Sequence, residues 1–220
     1  MTLFGIDLEY ADTATVKKAT KASEKVLVVP RKFYEQGNDF DICVDYYGEY
    51  KTRGSSDGQF PGVETDKQYL QVIPYFVFVH NGKILTYIKN KSSGESRLHG
   101  LYSIGIGGHV NEKDGTGMKA VRQAAMRECH EEIGVLPGYT AANINNDNYI
   151  IIDIAGNAAD FHIGFCQVIT EWHPEELTLS KEVAAVEWLN PQQLLKNRQL
   201  EEWSGYILPL LLRDWGDLFA

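Results

Sequence analysis

The chain has 220 residues, 44% of them hydrophobic, with 30 acidic against 21 basic side chains and a net charge of −9. That length supports one enzyme-sized domain with an extension. So acidic a balance, with no Lys/Arg stripe interleaved with aromatics, excludes a nucleic-acid scaffold but not a small anionic substrate held through a metal and a local basic patch.

The N-terminal stretch 11–25 is rich in Thr, Ala and Lys where a signal peptide would be apolar, and no segment has the length to span a bilayer. Val26–Val29 reads as a short strand, followed by a helix near Arg31–Gln36. Residues 45–68, rich in Gly, Ser, Asp and Tyr, read as an irregular insertion. Gln71–His80 and Lys83–Lys89 are apolar runs separated by Asn81-Gly82, the strongest hairpin signal in the chain. Tyr102–Ile106 predicts a strand leading into a glycine-rich exit, Ile104-Gly105-Ile106-Gly107-Gly108-His109-Val110. A helix is expected over Gly117–Ile133, with Thr116 or Asp114 as N-cap. Asn148–Ala155, Phe161–Thr170 and Val183–Leu189 read as strands, and helices follow from Pro191 and near Leu200–Leu212. The three cysteines, 43, 129 and 166, form no C-x-x-C pair and suit a reducing cytoplasm. The six histidines show no zinc spacing.

The most informative segment is Arg127-Glu128-Cys129-His130-Glu131-Glu132-Ile133-Gly134. At the helical period, Glu128 and Glu132 fall within about 40° of each other. They share an arc with Val121, Ala124 and Ala125, while Lys119, Gln123, Arg127 and His130 take the other side. Inward-facing like charges resist desolvation, and a divalent cation makes them tolerable. Acids at a helix C-terminus also oppose the macrodipole, so the cluster is not there for helix stability. Gly134 follows where a helix favours a left-handed stop.

This unit of strand, glycine loop, acidic helix and glycine stop resembles the Nudix (MutT-like) hydrolase family, whose signature is G-x5-E-x7-R-E-U-x-E-E-x-G-U with U apolar. Arg127, Glu128, Cys129, Glu131, Glu132, Gly134 and Val135 match its second half. The first half departs from it: Lys119 stands where the family has glutamate, and the wider spacing from Gly108 implies an insertion of about five residues within Asn111–Gly117, where Glu112 and Asp114 lie. A related group of MutT-like phosphoesterases of unsettled substrate is similar over more of the chain, through Val26–Pro30, Ile73–Tyr75 and Arg97–Asn111.

The resemblance implies an α/β Nudix fold over 1–220, a mixed β-sheet sandwiched between α-helices, with 1–70 as N-terminal extension and 71–220 as core. It implies a cytoplasmic, magnesium-dependent hydrolase, with Mn²⁺ as substitute, acting on a diphosphate linkage in a nucleotide or other small molecule, with no membrane or nucleic-acid partner and with a homodimer as one assembly. Glu128, Glu131, Glu132 and the Gly107 carbonyl are the implied metal ligands. Arg127 holds a glutamate of the cluster or is a solvated arginine. Gly108, His109, Lys89 and Arg97 are candidates for phosphate contact, His109 equally a plain loop histidine. The general base is Glu182, from a loop that also carries Glu175 and Glu176, or Glu131. Two alternatives stand beside the hydrolase: a catalytically impaired nucleotide-binding module, motivated by Lys119, and an isopentenyl-diphosphate isomerase, which needs a catalytic cysteine in a setting none of the three cysteines has. Specificity is expected from residues 31–68 and 136–147.

Overall fold

The computed structural model describes residues 2–7, 12–89, 100–134, 149–152, 160–170, 177, 179–180 and 183–219. In chain order these form β1 (Thr2–Leu3), β2 (Ile6–Asp7), α1 (Thr13–Ala22), β3 (Lys25–Pro30), α2 (Arg31–Glu35), α3 (Phe40–Tyr47), β4 (Glu49–Thr52), β5 (Tyr69–His80) and β6 (Lys83–Lys89). Then come β7 (Tyr102–Ser103), β8 (Ile106–Gly107), α4 (Gly117–Ile133), β9 (Tyr149–Ile152), β10 (His162–Ile169), β11 (Val183–Leu189), α5 (Pro191–Asn197) and α6 (Glu202–Asp214). The fold is α/β, as expected. The main sheet runs in the order β11-β6-β5-β10-β9, with β3 and β8 also on β5, β7 on β6 and β4 on β3.

Contacts divide the chain into two compact units, Met1–Ile73 with His109–Ala124 and Asp153–Gly164, and Pro74–Gly108 with Ala125–Ile152 and Phe165–Ala220. Strands β5 and β10 and helix α4 each contribute to both.

In the first unit, β3 pairs antiparallel with β4 and with the start of β5, Val28 standing opposite Gln71. Leu27 N–H donates to Val110 O at 2.8 Å, tying the segment after the glycine loop to β3. Ala19 and Ala22 of α1 pack with Phe60, and Val26 and Val28 with Val63. The stretch 45–68 is more regular than its composition suggests. It holds the end of α3, all of β4 and a 3₁₀ turn at Val63–Thr65: α3 is anchored by Phe40, Cys43 and Val44 just upstream, β4 by its pairing with β3, and the turn by Val63 packed on Val26 and Val28.

Of the two expected caps of α4, Thr116 holds the cap position, its carbonyl accepting the Ala120 N–H at 3.3 Å. Asp114 closes its own turn: its carboxylate accepts the Asn111 N–H at 2.9 Å, in a capping box over Glu112–Asp114. The side chain that caps α4 comes from α3, where Asp45 Oδ1 accepts the Met118 N–H at 2.7 Å. Gly117 is left-handed at φ 63°, and a Cβ there would collide with that carboxylate. Tyr50 completes the turn by donating to Gly115 O at 2.8 Å, and burial beside Asp114 and Glu112 pushes its hydroxyl pKa up to about 12. Asp45→Ala is expected to cost about 1 kcal/mol, measured as a shift of the urea midpoint with an unchanged slope.

In the second unit the Asn81-Gly82 hairpin forms as predicted. Both residues have positive φ, 49° and 69°, and Val79↔Ile84 and His80↔Lys83 pair across it. Strand β6 pairs antiparallel with β11 and β7. β5 is buried along nearly its whole length, on both faces, which explains its continuous apolar run. The expected strand over Tyr102–Ile106 divides in two: β7 joins β6, and β8 crosses to β5, with Tyr75 opposite Gly107. Among the described residues, no helix is long and apolar enough to cross a membrane.

Candidate metal and phosphate site

Helix α4 buries Met118, Ala120, Val121, Ala124, Ala125, Cys129 and Ile133 and exposes Lys119, Gln123 and His130. The apolar arc read from the sequence is thus the packed one. Gly134 ends the helix at φ 95°, its N–H on His130 O at 3.2 Å. The three acids divide by exposure. Glu128 is 17% exposed and Glu132 half-buried, with its Oε2 shielded from solvent, whereas Glu131 is 57% exposed. The Glu132 backbone carbonyl accepts the Ser180 N–H at 2.9 Å, which tethers the loop before β11 to the end of the helix.

Arg127 serves two acids at once. Its Nη1 donates to Glu128 Oε1 at 2.6 Å and reaches Glu131 Oε2 at 3.5 Å. Glu131 is its i,i+4 partner on the helix, yet the shorter contact is with the adjacent residue. A guanidinium held on a partly buried carboxylate fixes its rotamer and offsets part of its desolvation.

The glycines of the loop have separate reasons to be glycine. A Cβ at Gly105 would run into the Tyr75 ring, one at Gly107 into the Pro74 carbonyl, and one at Gly108 into the carboxyl carbon and both oxygens of Glu128. Gly107 therefore lacks a side chain because β5 passes alongside. Gly108 is the position whose bare backbone makes room for an acid of the helix. That cradle is the observation that fits a cation here: an oxygen-only donor set, one carboxylate pressed on a loop backbone and another partly withdrawn from water.

Behind the loop lies a buried polar network that the sequence does not announce. Tyr75 Oη donates to Glu201 Oε1 at 2.9 Å and lies 2.9 Å from Ser204 Oγ, and Ser204 Oγ accepts the Ile104 N–H at 2.9 Å. The Gly105 carbonyl accepts from Tyr87 Oη at 3.0 Å and from Ser103 Oγ at 3.1 Å. The edge-on ring of Trp203 stands 5.7 Å from Tyr75. Hydroxyls and a carboxylate on β5, β6, β7 and α6 thereby pin the backbone leading into the glycines.

Among the other expected site residues, the structure describes the surroundings of His109. His109 is drawn to Gln71 and His162: its Nε2 lies 3.0 Å from Gln71 Oε1, and its ring stands edge-to-face with that of His162 at 5.7 Å. Lys89 ends β6, and the placement of its side chain is not among the described residues. Arg97, Glu175, Glu176 and Glu182 lie outside the described residues, as does 136–147.

All three cysteines are buried free thiols. Burial, with the Glu128 and Glu132 charges added, pushes the Cys129 thiol well up; burial raises Cys166, and burial with Asp39 raises Cys43. Raised pKa values mean protonated thiols at neutral and mildly basic pH, the opposite of an activated nucleophile. With the folded protein at pH 8, a disulfide reagent such as DTNB is expected to titrate fewer than one thiol per chain within minutes, and three after denaturation. Rapid native-state reaction of one thiol would revive cysteine chemistry.

The NUDIX domain family matches residues 70–211, more than half of the chain. Protein YmaB of Bacillus subtilis (strain 168) is 25% identical over 210 residues, covering 87% of this chain and 98% of that protein. The crystal structure of Tm1382 superposes with a TM-score of 0.61 at 24% identity, over 86% of this chain and 99% of that one. The likeness to Tm1382 bears on the fold.

Proposed function

Because the chain belongs to the Nudix family of pyrophosphohydrolases, we propose that it hydrolyses a diphosphate linkage in a nucleoside diphosphate derivative or related organic pyrophosphate, with Mg²⁺ as working ion and Mn²⁺ as substitute. The observation that carries this reading is Glu128 seated against the bare backbone of Gly108. Glu128 and Glu132 would hold the ion, with Glu131 and the Gly107 carbonyl as further oxygen donors. When bound, such an ion neutralises the diphosphate, orients it and lowers the pKa of a water molecule.

The chain's own residues do the rest. Arg127 positions Glu128 and restrains Glu131. The network through Tyr75, Ser204 and Glu201 holds the entry to the glycine loop, so that the approach of Gly108 to Glu128 is set before substrate arrives. Gly108, His109, Lys89 and Arg97 are the candidates for phosphate contact. Glu182, or Glu131 from its exposed position, takes the proton from the attacking water.

The test is a panel of nucleoside diphosphate derivatives, dinucleoside polyphosphates and simpler organic pyrophosphates, assayed with Mg²⁺, with Mn²⁺ and with chelator. Turnover of at least one class, abolished by chelation, is expected. Metal-independent turnover would overturn the reading. A second reading has its own observation: Lys119, exposed on α4, occupies the position where the family carries a glutamate. Tight nucleotide binding with no turnover across the panel would favour this non-catalytic module.

A further inference from the structure

The first unit brings together three side chains that the sequence holds far apart: Glu64 in the 3₁₀ turn, His109 after the glycine loop and His162 at the start of β10. One potential ligand atom from each lies within 4.8 Å of the other two. We propose that Glu64, His109 and His162 form a second metal centre, built for a zinc-class divalent ion and made of none of the acids on α4.

The chemistry of the donors selects the ion. Two imidazole nitrogens and one carboxylate oxygen form a borderline set that suits zinc, cobalt or nickel and is poor for magnesium, which takes oxygen. Three protein ligands leave a fourth position open, so the ion would carry water or a small anion. Tetrahedral zinc with ligands at 2.0–2.1 Å places them ~3.3 Å apart. Atoms already within 4.8 Å of one another stand close to that spacing.

The surroundings are those of a metal centre's outer shell. Glu64 is 12% exposed, and its Oε1 accepts from Arg53 Nε at 2.8 Å; Arg53 is 11% exposed and also faces Glu24 at 3.8 Å. The Glu64 N–H donates to Arg53 O at 2.9 Å, so main chain and side chain both hold the acid in place. Gln71 supplies the second, independent sign. It is fully buried in β5, its Oε1 meets His109 Nε2, and its Nε2 has no hydrogen-bond partner. Burying an amide nitrogen unsatisfied costs about 1–3 kcal/mol. What that cost secures is a carbonyl acceptor on one nitrogen of His109. A ring donating Nε2–H to that carbonyl keeps its lone pair on Nδ1, the tautomer control that metal-bound histidines obtain from such partners. His109, a candidate phosphate contact by sequence, is reassigned here as a ligand.

The experiment uses the full-length protein stripped with chelator and dialysed, titrated with Co²⁺ by visible absorption and with Zn²⁺ by calorimetry. One equivalent of Zn²⁺ is expected, and Co²⁺ is expected to develop ligand-field bands that excess Mg²⁺ does not erase. His162→Ala and Glu64→Gln should each weaken Zn²⁺ binding roughly 100-fold and abolish the bands. His162→Asn, read with circular dichroism, provides a milder variant in case the alanine form is poorly folded. Glu132→Gln should retain the bands. This centre and the proposed hydrolysis therefore fail separately: loss of diphosphate cleavage with the bands intact concerns the α4 acids alone. No Co²⁺ bands in the wild type, bands unchanged in both Glu64→Gln and His162→Asn, or bands lost only in Glu132→Gln would each overturn the proposal.

Discussion

Glu132→Gln is expected to lower kcat/KM for Mg²⁺-dependent diphosphate cleavage roughly 1,000-fold, about 4 kcal/mol of transition-state stabilisation, with the fold intact. The substitution exchanges a carboxylate for an amide of the same shape. Glu132 is half-buried with one oxygen shielded from water, close enough to raise the Cys129 thiol through its charge. Removing that charge relieves repulsion with Glu128 and, on the proposed reading, takes away a ligand in the same step. The apoprotein should therefore be no less stable to heat, and it should need far more Mg²⁺ to reach half-maximal rate. Measuring rate against Mg²⁺ concentration alongside a melting curve separates the two effects. Wild-type rate and metal dependence in this variant would sink the metal-site assignment.

Glu201→Ala has the largest expected effect on stability, about 2–4 kcal/mol. This carboxylate is 8% exposed and does three jobs. It caps α6 by accepting the Trp203 and Ser204 N–H groups at 2.9 and 2.8 Å, takes the Tyr75 hydroxyl at 2.9 Å, and bonds the Ser204 hydroxyl. Alanine strands buried donors on two elements at once. The melting temperature should fall by roughly 10 °C. Glu201→Gln, which retains an amide oxygen for the helix N-terminus, should lose less than half of that. Equal losses in the two variants would mean that packing, not acceptance of hydrogen bonds, is the residue's contribution.

Much of the fold was legible because it is written locally. Asn81-Gly82 dictates its turn through the positive φ both residues tolerate, and the apolar runs on either side then pair in one register. α4 was readable to its ends because its small and apolar residues recur at the helical period and Gly134 stops it. The failures share a cause as well. Residues 45–68 looked irregular because composition was weighed over short amphipathic elements, and the capping carboxylate of α4 was sought in Asp114, next to the helix, when it comes from Asp45 on another one.

The candidate site divides along the same line. Spacing alone determined that Glu128 and Glu132 share the inward arc of a helix, because residues four apart on a helix carry their geometry with them, whereas the exposure of Glu131 came from the structure. Tertiary structure decided which glycine does what, that Arg127 closes first on Glu128, that Glu201 and Tyr75 brace the loop from behind, and that Glu64, Gln71, His109 and His162 meet. Apart from Arg127 and Glu128, which are neighbours, those contacts join residues tens of positions apart. They follow from strand register and from which faces pack together, quantities that no local period or turn signal encodes.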